Sequence, residues 1–174
     1  MRLVPRLLVL GCVLASAASA AAQSKFVGKF SQGKPDPNHV IVVDDRPHHA
    51  LVLGKATGTW SAGEIAGDAL KDQVGTVMSD MTGATSRDRG YGLGTTASGD
   101  KYYVRFEGTT AYKGEAPSTG TCTWSFSGGT GKLRGLTGKG TCTATYDASG
   151  GATFDVVGEY SIAPPKAPKA PKAK

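Results

Sequence analysis

Several stretches of the chain alternate apolar and polar residues. Along 101–107, Tyr102, Val104 and Phe106 share one side, while Lys101, Tyr103, Arg105 and Glu107 share the other. Along 121–127, Cys122, Trp124 and Phe126 oppose Thr121, Thr123, Ser125 and Ser127. Along 141–146, Cys142, Ala144 and Tyr146 oppose three threonines, and along 152–160, Ala152, Phe154, Val156 and Tyr160 oppose Thr153, Asp155 and Glu159. A period of two is that of a strand with one face buried.

Further strands are expected at 25–30, 40–44, 50–60, 73–81 and 91–96, giving eight or nine in all. Turn signals separate them: DRPHH at 45–49, ASGD at 97–100 and ASGG at 148–151. AGEIAGDALKD at 62–72 has no clear period and has room for a helical turn. No segment shows a long helical period. Successive one-faced strands without partner helices bury that face most economically by closing on themselves. The expectation is all-β: a single antiparallel up-and-down barrel of about eight strands over 25–163, which abolishes exposed edges.

The ends differ from this body. MRLVPR, the apolar run LLVLGCVLA and the small residues SAASAAA read as a secretory signal peptide over 1–22, which makes the mature protein secreted or periplasmic. No later segment is apolar enough to span a membrane. PPKAPKAPKAK at 164–174 is a flexible Pro/Lys/Ala tail. Removing the two arginines of the leader and the four lysines of the tail from the 20 basic residues leaves 14, against 14 acidic ones. The body is therefore neutral, and the charge balance argues against nucleic-acid binding. The lysine tail is suited to weak, salt-sensitive contact with an anionic envelope surface.

The stretch WSFSGGTGKLRGLTGKGTC at 124–142 contains Gly131-Lys132, as a phosphate loop does. A phosphate loop also needs a glycine five residues earlier and Ser or Thr after the lysine. Phe126 and Leu133 stand there, and LRGLTGKGT is too rich in glycine for a helix. The stretch reads instead as a wide hairpin turn, in which Gly128, Gly129 and Gly131 allow positive φ. Leu133 and Leu136 tuck beneath it as a lid on one barrel end. The flanking strands pair so that Cys122 faces Cys142, and an exported chain with two remaining cysteines is expected to join them.

The same residues carry a resemblance. SFSGGTGKLRGLTGKGT resembles the glycine-rich signature of the allene oxide cyclase and dirigent-protein barrels, and the terminal VVGEYSI fits their layout. The body is also similar to uncharacterised secreted bacterial proteins that share GDKYYVRFEGT-like and TWSFSGGTGKLRGLTGKGT-like segments. The resemblance implies an eight-stranded barrel with a lumen at one end. It transfers no catalytic residue, because the family's lumenal chemistry lies outside the shared hairpin.

Candidate chemistry is sparse. His48 and His49, with Asp44 and Asp45, offer nitrogen and oxygen ligands, but adjacent strand residues point apart, so the group reads as a solvated loop and no metal site is assigned. Tyr103, Arg105 and Glu107 form a polar stripe expected to face outward. No nucleophilic triad or cofactor motif is present, and no cofactor is expected. The expected function is non-catalytic: binding of a small apolar ligand in the lumen, or an envelope interaction. Tyr102, Phe106, Trp124, Phe126, Phe154 and Tyr160 are the lumen candidates. The alternative is a cyclase or isomerase acting on a lipid-like substrate there.

Overall fold

A computed structural model describes residues 23–36 and 38–164. The leader at 1–22 and all but the first residue of the tail at 164–174 lie outside the described residues. Ten strands follow in order: β1 (Ser24–Gln32), β2 (Asn38–Val42), β3 (His49–Ala62), β4 (Glu64–Ile65), β5 (Asp68–Thr82), β6 (Thr85–Thr96), β7 (Lys101–Lys113), β8 (Ala116–Gly129), β9 (Leu136–Tyr146) and β10 (Ala152–Ile162). Eight of them, β1, β3 and β5 to β10, pair antiparallel in chain order, and β10 pairs back to β1 to close the barrel.

The two short strands are additions to this ring. β2 continues the line of β1 along β3, and its Val40, Ile41 and Val42 are 57%, 65% and 64% exposed. β4 folds back on the start of β5 through a tight turn at Ala66 and Gly67, both at positive φ. This is the 62–72 segment that left room for a helical turn. Glycine at the second turn position and an inward Ile65 make it a hairpin instead.

Alternation sorts the side chains as expected. Tyr102, Val104, Trp124, Phe126, Cys142, Ala144 and Val156 are buried inside, while the threonines of β8 and β9 lie outside. Strand lengths were less legible. β6 begins at Thr85 rather than 91, because its first half, TSRDRG, carries polar residues on both faces. The 124–142 hairpin pairs Cys122 with Cys142 in register, and the two form a disulfide. Its turn contains a short 3-10 segment, Gly131–Leu133, with Gly128, Gly131 and Gly135 at positive φ. Leu133 and Leu136 are each 1% exposed and close one end of the barrel.

Candidate functional site

The barrel interior is divided. Near the lidded end it is solid with rings. Phe26 meets Trp60, Trp124 and Phe126 edge-on at centroid distances of 5.9, 5.4 and 5.7 Å, and Tyr102 meets Phe126 at 5.8 Å. Such pairs add about 0.5–1.5 kcal/mol each beyond area burial. Room for these rings comes from inward glycines. A Cβ at Gly94 would stand 1.9 Å from Tyr102 Cζ, and Cβ atoms at Gly140 and Gly158 would stand 2.5 and 2.6 Å from Trp124. The Tyr102 hydroxyl accepts from Trp60 Nε1 at 2.7 Å and donates to Gln73 Oε1 at 3.0 Å. Burial pushes its phenol pKa well above the ordinary value.

The other half is lined differently. Ala56, Gly75, Gly120 and Ala144 are inward and small, and Phe106 and Phe154 are inward yet only half-buried. No heavy atom lies within 4 Å of where a Cβ on Gly75 would stand. Pro35 lies over the inner face of Gly54 at the rim, 3.0 Å from the position of a Cβ there.

A polar cluster sits in this half. Ser86, Asp88 and Thr110 point inward from β6 and β7. The Asp88 carboxylate accepts from Ser86 Oγ at 2.8 Å and from Thr110 Oγ1 at 2.7 Å. The Tyr146 hydroxyl lies 3.2 Å from Thr110 Oγ1. Burial raises the pKa values of Tyr112 and Tyr146, and the Asp88 charge adds to both shifts. Both phenols therefore stay protonated at neutral pH. Asp88 makes no ion pair among the described residues. Sequence reading missed this group, although Ser86, Asp88 and Gly90 alternate with Arg87 and Arg89 in a strand's period.

The six lumen candidates separate accordingly. Tyr102, Trp124 and Phe126 belong to the ring-filled core, whereas Phe106, opposite Trp124 in register, and Phe154 pack against it and stay half-buried. Tyr160 is half-buried at the lidded end, where its hydroxyl accepts from the Ala66 N–H at 2.8 Å. Tyr103, Arg105 and Glu107 are exposed on the outer wall, with the Arg105 guanidinium 5.6 Å from the Tyr91 ring centroid.

Two further features lie outside the lumen. A shallow depression of about 890 Å3 crosses the outer wall, bordered by Arg87, Arg89, Glu107, Thr121, Thr123 and Thr143. The loop before β3, expected to be solvated, is only partly so. His49 is only 8% exposed, its Nε2 is 3.1 Å from Asp80 Oδ1, and its Nδ1 contacts Asp45. His48 remains exposed, and the two histidines do not converge. Among the described residues, no group of three or more His, Cys, Asp or Glu side chains is arranged to hold a metal ion. No helix of the described residues is long and apolar enough to cross a membrane.

The glycine–lysine turn does cradle an anion, but an internal one. The Lys132 N–H donates to Asp100 Oδ2 at 2.9 Å, and a Cβ on Gly131 would collide with that carboxylate. No family model matches the chain, and no curated protein matches it.

Proposed function

We propose that this is an exported binding protein that takes a small ligand with an apolar body into the unfilled half of its barrel. The observation that carries the proposal is the divided interior. Rings and a lid fill one half, whereas no heavy atom lies within 4 Å of a Cβ built on the inward Gly75, and Phe106 and Phe154 stay half-buried at the margin of the core. Eight-stranded barrels are wide enough for one small ligand, and a pocket with apolar walls and a few convergent polar groups is the usual form of such a site. The leader-like residues 1–22 support export, as does the Cys122–Cys142 disulfide, which suits an oxidising compartment. The resemblance of 124–142 to the allene oxide cyclase and dirigent barrels agrees with a lumenal ligand. Lys166, Lys169, Lys172 and Lys174 supply a second contact, to an anionic envelope surface.

Native and denaturing mass spectrometry of the exported protein test this. The expected result is a mass excess that is lost on denaturation and is absent from Gly75→Phe, whose ring would occupy the space. Equal native and bare-chain masses for both proteins would overturn the proposal.

One observation favours a second reading, a cyclase or isomerase. An inward carboxylate, Asp88, lies beside a phenol-bonded hydroxyl, a set able to move protons. Recovery of a chemically altered ligand from wild type but not from Asp88→Asn would select it.

A further inference from the structure

We infer that the ligand carries a positively charged head, an amine or a quaternary ammonium, seated on Asp88; this rests on the lumenal binding proposed above. Asp88 is an inward carboxylate whose two partners, Ser86 and Thr110, are neutral hydroxyl donors. A carboxylate has about four acceptor positions, so these two bonds leave half its capacity free. Its neighbours along β6, Arg87 and Arg89, are exposed on the outer wall, and no cation lies within ion-pair distance of it among the described residues.

Facing residues leave the carboxylate approachable. Across the strands in register stand Ser79 and Gly108, both small. A cationic head would supply the counter-charge that this half-buried, inward carboxylate lacks among the described residues. The hydroxyl of Tyr146, 3.2 Å from Thr110 Oγ1, brings a neutral phenol next to this cluster. Phe106 and Phe154 offer the apolar body a wall. A fatty-acid head would meet the like charge of Asp88, and an alcohol would gain a single hydrogen bond.

Calorimetric titration of the full chain with three probes of one tail length, decyltrimethylammonium, decanol and decanoate, separates these heads. The ammonium is expected to bind about thirtyfold or more tighter than the alcohol, as close pairing of opposite charges gives. Asp88→Asn is expected to erase that difference, and Glu107→Gln, which alters an outer-wall carboxylate, to preserve it. Alcohol or decanoate binding as tightly as the ammonium would overturn the cationic head and leave lumenal binding intact. Failure of all three probes would remove lumenal binding itself. The comparison on wild type decides the question even if Asp88→Asn does not fold.

Discussion

At the scale of single residues, the barrel works by giving rings bare backbone to lie on. Gly94, Gly140 and Gly158 face inward, and each is covered by a tyrosine or tryptophan closer than any Cβ tolerates. Gly94→Ala is therefore an overpacking change, expected to cost about 1–3 kcal/mol in urea unfolding. Gly75→Ala is its control. That site has free space and no positive φ, so the change should be neutral or stabilise by about 0.4–1 kcal/mol through the unfolded state. Equal losses at both glycines would mean that the rings do not decide the outcome. Tyr102 shows the polar side of the same packing. Tyr102→Phe leaves the Trp60 N–H without its partner, at a cost of about 1–3 kcal/mol.

At the scale of elements, the β8–β9 hairpin does two jobs. Its strands carry the disulfide into the wall and its turn forms the lid. Cys122→Ser removes a crosslink between residues twenty positions apart, and the loop-entropy estimate for such a link is roughly 3 kcal/mol. A thermal melt in non-reducing buffer that shows no loss would contradict the crosslink. Leu133→Ala empties a fully buried site and is expected to cost about 2–5 kcal/mol. Asp100→Ala removes the acceptor of the Lys132 N–H, so hydrogen exchange should speed up at that amide and leave β1–β10 pairing protected. Much of this element was legible in advance. The alternation of Cys122, Trp124 and Phe126 against threonines, and of Cys142 and Ala144 against threonines, sets which faces meet, so the cysteine register follows. The start of β6 was not legible, because its inward residues at 86 and 88 are polar and leave no apolar alternation to read.

At the scale of the whole molecule, one end of the interior is packed with rings and the other carries small and polar side chains. The buried phenols couple that stability to alkaline pH. Burial raises the pKa values of Tyr102, Tyr112 and Tyr146 in the folded state. Below the ordinary tyrosine value of about 10, both states hold the protons and stability is unaffected. Above it, the unfolded chain releases protons that the fold retains, so the unfolded state binds fewer and stability falls as pH rises. Urea midpoints should begin to drop at about pH 10 and keep falling above it, with a shallower slope in Tyr102→Phe. An unchanged slope in that variant would place the alkaline loss elsewhere.

The sequence by itself determined the class of fold, the faces of the main strands, the Cys122–Cys142 register and the failure of the glycine-rich turn as a phosphate loop. These are local properties: a period of two, a missing residue, two alternating strands flanking one turn. Only the tertiary structure decided which inward residues are buried by others and which are left facing space. Tyr102 and Phe106 sit four residues apart on one face of one strand, yet one is sealed in the core and the other stays half-buried at its margin. Spacing along a strand says only that both point inward. What covers each comes from β1, β3 and β8 to β10, which meet them across the closed barrel. Asp88 follows the same logic. As an isolated letter between two arginines it reads as surface, and barrel closure turns it inward.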